Sequence, residues 1–254
     1  MRFVSYNILD GGTGRADPIA EVIEAQRADV VALVEADDVE VVERIARRLG
    51  MDYVRGEGNS HSVAILSKRT MVESINHAPL ERGISKCFLE AKIQRDGGEL
   101  SVCALHLHAH AREADEDARE KEIGLILARL GDYRTRGTAH LLMGDFNANS
   151  PMQEIDASKL KPGSAREYAE NGGKLPRRVM TTLFDAGYVD CLAAARPEEA
   201  RTGSTFSTLH PGQRVDYILA YGIEPARIKD GWIETDRLAR YASDHFPIGA
   251  EIEL

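Results

Sequence analysis

The sequence predicts an α/β sandwich with mixed sheets, on three observations. Short apolar runs bounded by polar residues read as strands buried on both faces. Early in the chain they alternate with segments of helical periodicity. Pairs of neighbouring strands then occur in both halves, which a single parallel sheet would not give.

The elements follow in order. Arg2 to Asn7 reads as a strand carrying Phe3, Val4 and Tyr6, with "LDGGTGR" as a glycine-rich turn after it. Asp17 is placed to cap a helix with Pro18 at its first position, and Ile19, Val22 and Ile23 give that helix an apolar stripe. "DVVALV", 29–34, is a buried strand, and a helix from 38 to 49 follows with Val41, Val42, Ile45 and Leu49 on one side. "SVAILS", 62–67, is another strand. Residues 86–94 and 99–105 flank Asp96-Gly97-Gly98, a hairpin turn. The stretch 113–134 begins charged and then gains Ile123, Ile126, Leu127 and Leu130 at helical spacing. "HLLMGD" returns to strand, and "RVDYILA", "RIKDGWI" and "FPIGAEIEL" are three further strands. Residues 158–182, rich in Lys, Arg, Gly and Pro with little periodicity, read as a long excursion over the surface.

No composition break marks a linker, so residues 1–254 are expected to form one domain. A hydrophobic content of 43% fills a substantial core. The net charge of −9 argues against broad polyanion binding, which wants a basic surface, but leaves room for a local basic groove. It also suits an acidic pocket for a divalent cation. Cys87, Cys103 and Cys191 are widely spaced and odd in number, the pattern of buried reduced thiols rather than a disulfide framework. "MRFVSYNILDGG" lacks the apolar core of a signal peptide, and no run approaches the ~18 residues of a membrane span. The expectation is a cytoplasmic monomer without stable membrane association.

Polar residues that end these strands point to function. "GDFNANS" follows Leu141-Leu142-Met143 and sets Asp145 and Asn147 where a buried strand runs out. Asn7 closes the first strand, Glu35 follows "DVVALV", His106 ends "LSVCAL", and Asp244 and His245 precede the last strand. Each alone reads as a cap or turn residue; their concentration at separate strand ends does not. Asp216 interrupts the apolar Val215, Tyr217, Ile218 and Leu219. A carboxylate there needs a partner. Arg214 would give a plain ion pair, and a histidine would give an oriented imidazole.

"SYN", "DVVALVE", "SVAILS", "ALH", "GDFNA", "RVDYIL" and "SDHFPI" occur in the order seen in the endonuclease/exonuclease/phosphatase superfamily, and the chain resembles that group over nearly its whole length. The group includes pancreatic-type deoxyribonuclease, abasic-site endonucleases, neutral sphingomyelinases and inositol polyphosphate 5-phosphatases. The resemblance implies a four-layer α/β sandwich, two mixed central β-sheets flanked by helices, with a divalent metal at one rim. It implies Glu35 as the principal metal carboxylate, with Asn7 and Asp244 beside it. Asp145 and Asn147 would orient the nucleophile and bind a phosphate oxygen. His245 would be the general base or a phosphate ligand, Asp216 its carboxylate partner, and His106 a phosphate contact or leaving-group donor.

The chemistry agrees with those roles. A hard cation, Mg²⁺ or Mn²⁺, neutralises phosphate oxygens and takes oxygen ligands, whereas zinc would favour Cys or His. An imidazole titrating near neutrality can deprotonate water, and a buried aspartate fixes its tautomer. The expected reaction is divalent-metal-dependent hydrolysis of a phosphodiester by in-line attack of water, of nuclease or nucleotide phosphodiesterase type. A phosphatase or phospholipase C-type hydrolase of inositol phosphates or phospholipid head groups is the alternative, and an inactive binding protein on the same fold is a second. A glycosidase would need two opposed acids but not the Asn and His partners.

Substrate contacts are sought in four places. In "HLHAH", His106, His108 and His110 alternate, so a transition-metal cluster would need the strand to continue, while Ala109–Ala111 suits a turn. His108 and His110 are therefore read as substrate-side or solvated, and His61 as a second residue at the mouth. Lys159, Lys161, Arg166, Lys174, Arg177 and Arg178 outnumber Glu167 and Glu170 after GDFN, and Arg177 and Arg178 are taken as a possible grip on an anionic substrate such as a nucleic acid or nucleotide. Leu9 stands where abasic-site enzymes carry an acid, "LVEADD" replaces the usual L-Q-E, and Trp232 is the single tryptophan. These departures weigh against abasic-site repair, which wants stacking surfaces.

Overall fold

Strands apolar on both faces must lie between layers. The computed structural model, which describes residues 1–254, places them in two six-stranded sheets packed face to face. The first half of the chain forms β1 (Arg2–Asn7), α1 (Ala16–Ala25), β2 (Val30–Val34), α2 (Val39–Leu49), β3 (Asp52–Gly56), β4 (Val63–Ser67), β5 (Met71–Asn76), β6 (Cys87–Arg95), β7 (Gly98–His106) and α3 (Glu113–Arg129). The second half forms α4 (Gly131–Thr135), β8 (His140–Asp145), α5 (Pro162–Glu170), α6 (Arg178–Asp185), β9 (Val189–Asp190), α7 (Cys191–Ala195), α8 (Pro197–Thr202), β10 (Asp216–Tyr221), β11 (Ile228–Ile233), α9 (Arg237–Ala242) and β12 (Ile248–Ile252).

One sheet runs β11-β12-β1-β2-β4-β3 and the other β5-β6-β7-β8-β10-β9. Each contains a single parallel pair, β1 with β2 and β7 with β8, and every other pairing is antiparallel. β2, β4 and β8 are buried throughout, as their unbroken apolar runs require. The inner faces meet where β1 packs on β8 and β10, and β2 on β7 and β8. One continuous apolar cluster joins both sheets and reaches helices α1, α2, α3 and α6 outside them. The expected sandwich of two mixed sheets flanked by helices is the one found. No helix is long and apolar enough to cross a membrane.

Several local readings need correction. The first helix begins at Ala16 behind Arg15, so Asp17 lies in the first turn and bonds Arg44 rather than capping. Pro18 is tolerated there because first-turn N–H groups lack helical partners. The capping role falls instead to Asp38 of α2, whose side chain accepts from the Glu40 and Val41 amides. The helix read over 113–134 breaks at Leu130 and restarts at Gly131.

Residues 158–182 are not a structureless excursion: they hold α5, with Pro162 at its start, and the beginning of α6. The face of α5 turned inward buries a carboxylate, Glu167, so no apolar stripe signals the helix. β3 and β5, the edge strands at corresponding ends of the two sheets, are not evident in the sequence; β3 is largely half-buried, and Val72, Glu73 and Ser74 of β5 are exposed.

Candidate active site

Topology gathers the polar strand ends. In each parallel pair, β1/β2 and β7/β8, the carboxyl ends lie at one sheet edge, and there the chain places Asn7, Glu35, His106 and Asp145. The antiparallel neighbours β10 and β12 begin at that same edge, which brings in Asp216 opposite Asp145, and Asp244 and His245 just before β12. Gly144 permits the close approach of β7 to β8: its φ is +147°, and a Cβ there would lie 1.9 Å from the Leu105 carbonyl oxygen. Glu35 and Asn147 also sit at positive φ, 58° and 47°, backbone strain of the kind that accumulates at functional sites.

One amide links the sheets. Asn7 Nδ2 donates to Glu35 Oε1 at 3.2 Å and to Asp145 Oδ2 at 3.1 Å. Glu35 Oε2 accepts from the Asp10 amide at 2.8 Å. Asp145 Oδ1 accepts from the Asn147 amide at 2.9 Å, and Asn147 Nδ2 donates to the Leu107 carbonyl at 3.1 Å, leaving its Oδ1 for a ligand. Of the two partners open to Asp216, the structure pairs it with histidine: His245 Nδ1 is 2.8 Å from Asp216 Oδ2. Arg214 pairs with Asp190 instead, at 2.7 Å. Thr205 Oγ1 accepts from the Val215 and Asp216 amides, and Ser243 Oγ donates to the Asn7 carbonyl at 2.7 Å, so both segments are tied down.

His245 Nε2 and His106 Nε2 approach Asp145 Oδ2 at 3.8 and 3.5 Å. Burial would pull His245 down, but the carboxylates of Asp216, Asp145 and Asp244 outweigh it and hold its pKa up to about 10. Burial, reinforced by the Asp216 charge, pushes Asp145 up to about 6. His106 moves the other way, well below the usual imidazole range, through burial and then the positive charges of Lys86, His61 and His245. It is therefore a neutral imidazole.

A cavity of about 180 Å³ is lined by Leu9, Glu35, Lys86, His106, Asp145, Asn147, Phe206, Asp244 and His245. It adjoins a wider one of about 460 Å³ through Ala109, Asn147 and Phe206. α5 lines the wider cavity with Ser164, Arg166 and Glu167, and Lys161 precedes the helix there. Lys161 reaches 3.6 Å from Asp244 and 4.9 Å from the Phe206 ring, whose plane leans on His245.

Asp145, Asp216 and His245 form a buried group whose donor atoms all lie within 4.8 Å of one another. Because Asp216 Oδ2 and His245 Nδ1 pair with each other, this group reads as an acid–imidazole pair beside a carboxylate, with Asp216 Oδ1 buried and unpartnered. The carboxylates outside this group are Glu35 and Asp244, while Asn7 turns its Nδ2 to the site and its Oδ1 accepts from the Leu9 amide at 3.1 Å. Asp244 Oδ1 is buried without a hydrogen-bond partner, which a cation would relieve.

The outer substrate candidates are dispersed. His110 lines the wider cavity, with its Nδ1 2.9 Å from Glu167. His108 turns to Asp115 at 3.1 Å, so the three alternating histidines do not converge. His61 is held by Asp37 at 2.8 Å, its ring 5.5 Å from that of His106. Arg177 donates to the Ser150 carbonyl, and Arg178 is engaged by Glu113, Asp117 and Glu120 of α3. Neither arginine lines the two cavities. The residues missed in the sequence are Lys86 and Phe206. A lysine before a strand carries no signal of its own, and Phe206 lies in a loop without periodicity.

No curated protein sequence matches the chain significantly. Solved structures similar to it over its full length include a 3′ phosphatase, NExo, from Neisseria bound to product DNA hairpin, with TM-score 0.76, 19% identity and all of both chains covered. An AP endonuclease from Archaeoglobus fulgidus matches at TM-score 0.71 and 18% identity, again covering all of both chains. A humanized D. rerio TDP2 matches at TM-score 0.69 and 18% identity, covering 100% of this chain and 99% of that one. The model of the Endonuclease/Exonuclease/phosphatase family matches residues 4–245, and the chain belongs to that family.

Proposed function

We propose that this chain is a Mg²⁺- or Mn²⁺-dependent phosphodiesterase of nuclease or nucleotide phosphodiesterase type, acting by in-line attack of water without a covalent enzyme intermediate. The observation that supports it most is the sharing of Asn7 between Glu35 and Asp145, with the His245–Asp216 pair and His106 gathered round the same Asp145 oxygen. Glu35, positioned by Asn7, and Asp244 would hold the cation, which when bound supplies charge neutralisation at the phosphate. Asp216 fixes the His245 ring by its Nδ1, and with its pKa held up at about 10 the ring is an imidazolium whose Nε2–H faces the cavity to bind a phosphate oxygen, while the neighbouring Asp145 carboxylate takes the proton of the attacking water. Asn147 offers its free side-chain oxygen and Asp145 its carboxylate to orient that water.

The wider cavity gives the rest of the substrate a polar bed with an aromatic wall at Phe206. The similarity to a 3′ phosphatase bound to a DNA hairpin and to an AP endonuclease supports a nucleic acid or nucleotide substrate. Leu9 and the single tryptophan weigh against an abasic site.

The test is a substrate panel with Mg²⁺, Mn²⁺ or EDTA, run beside a Glu35→Ala control. It holds single- and double-stranded DNA, abasic DNA, RNA, bis(4-nitrophenyl) phosphate, sphingomyelin and inositol phosphates. Hydrolysis of DNA, RNA or the aryl diester that EDTA and Glu35→Ala both abolish is expected. Turnover confined to inositol phosphates or sphingomyelin favours the head-group hydrolase. No turnover on any member contradicts an active enzyme.

A further inference from the structure

We propose that Lys86, and not His106, is the group that meets and protonates the leaving oxygen of the scissile phosphate ester. This rests on the phosphodiesterase reading and deepens it.

Lys86 Nζ lies 2.5 Å from His106 Nε2. An ammonium has protons and no lone pair, so at that distance Nε2 is the acceptor and the imidazole proton sits on Nδ1. His106 Nδ1 is buried without a partner and offers nothing to the cavity. In this tautomer His106 has no proton to give at the nitrogen that faces the site. Lys86 keeps two further N–H bonds, and its hydrogen bonding is otherwise unused. Burial lowers the lysine pKa, and Asp145 and Glu35 oppose that from longer range. The result is a cation at the cavity wall beside Glu35, Asp145 and Asn147, available to a substrate oxygen.

The neighbourhood of Lys86 is built to hold it. The Ser85 amide and Oγ both donate to Glu122 Oε1 of α3, at 2.7 and 2.5 Å, while Glu122 Oε2 accepts from the His108 amide at 2.8 Å. One buried carboxylate thus fixes the residue before Lys86 and the segment after His106. On the other side the Asn59 amide donates to the Lys86 carbonyl at 2.9 Å, and Gly58 passes so close that a Cβ would lie 2.2 Å from that oxygen.

In the reaction the P–O bond to the leaving group breaks and its electron pair goes to the leaving oxygen. That oxygen takes a proton from Lys86 Nζ, and the neutral amine regains one from water. His106 is then a positioning residue that holds Nζ by its lone pair. A dry cavity strengthens such a contact, and removing one preorganised donor costs about 10²–10³ in kcat.

The measurement compares two esters of one nucleoside, thymidylyl-thymidine and thymidine 5′-(4-nitrophenyl phosphate), with Mn²⁺ present. Nitrophenolate leaves without a proton, whereas a nucleoside hydroxyl does not. Lys86→Met should lower kcat by about 10²-fold on the dinucleotide and by less than about fivefold on the nitrophenyl ester, with KM little changed. His106→Asn, which only loosens the hold on Nζ, should show the same leaving-group dependence to a smaller extent. Lys86→Arg keeps the charge but gives up no proton, and its loss should fall on the dinucleotide alone; it carries the test if Lys86→Met does not fold. Equal losses on both esters in the lysine variants, or a leaving-group dependence larger in His106→Asn than in Lys86→Met, would overturn the assignment while leaving the phosphodiesterase standing. A wild-type enzyme that cleaves neither ester overturns the phosphodiesterase reading and this inference with it.

Discussion

Asp216 is a charge placed inside an apolar strand, and His245 is what makes it tenable. Both are almost fully buried, so removing one leaves the other without compensation. His245→Ala should lower kcat by about 10²–10⁴ and also destabilise the fold by about 3–5 kcal/mol. Adding Asp216→Asn should restore much of the stability and none of the rate. Denaturant unfolding and steady-state kinetics on the single and double variants check this; recovery of both together would contradict it. Asp216 was legible in the sequence because a carboxylate among Val215, Tyr217, Ile218 and Leu219 demands an explanation. Which partner it takes was not, since Arg214 and His245 both qualify until the fold turns Arg214 toward Asp190. Lys86 was invisible for the opposite reason: nothing local sets it apart from a surface lysine, and its role depends on a contact with His106, 20 residues away.

Elements carry their own chemistry away from the site. Between β5, β6, β7 and α4, Glu90 accepts from His77 at 2.9 Å, Ser101 at 2.6 Å and Tyr133 at 2.8 Å. Burial alone would raise its pKa, but these hydrogen bonds win and lower it to about 2. An unfolded glutamate titrates near 4.3, so the ionised form stabilises the fold fully above about pH 5 and progressively less as pH falls toward 2. Glu90→Gln should therefore cost about 2–3 kcal/mol at pH 7, with the gap from wild type roughly halved by about pH 3 and closing only near pH 2. A gap independent of pH would contradict this.

α5 shows why some elements escaped detection. Its inward face presents Glu167 to His110 and the Ala111 amide, so polar satisfaction replaces the apolar stripe that reveals a helix. The basic character of that region was legible, but its targets were not. Arg178 is spent on three acids of α3, and Arg178→Ala should change kcat/KM by less than about twofold on any substrate. A larger loss would place Arg178 in substrate binding after all.

At the scale of the whole molecule, the sandwich itself explains the site. Alternating strands and helices, with strand pairs in both halves, revealed mixed sheets because periodicity is a local property. Strand order is not local. That β1 would lie between β12 and β2, or β8 between β7 and β10, follows from pairings up to the full length of the chain. Only that order brings the ends of β1, β2, β7 and β8 to the same edge as the starts of β10 and β12. Against the acidic surface implied by a net charge of −9, Lys86, Arg112, Lys161 and Arg166 are the basic residues lining the two cavities at this rim, the set that the proposed anionic substrate would meet.

In the proposed mechanism these side chains direct water onto phosphorus. A single turnover in ¹⁸O-labelled water, on a diester the enzyme cleaves, tests it by mass spectrometry of both products. Attack of water on phosphorus places one labelled oxygen on the phosphate product and none on the alcohol. Label on the alcohol, or on neither product, would contradict it.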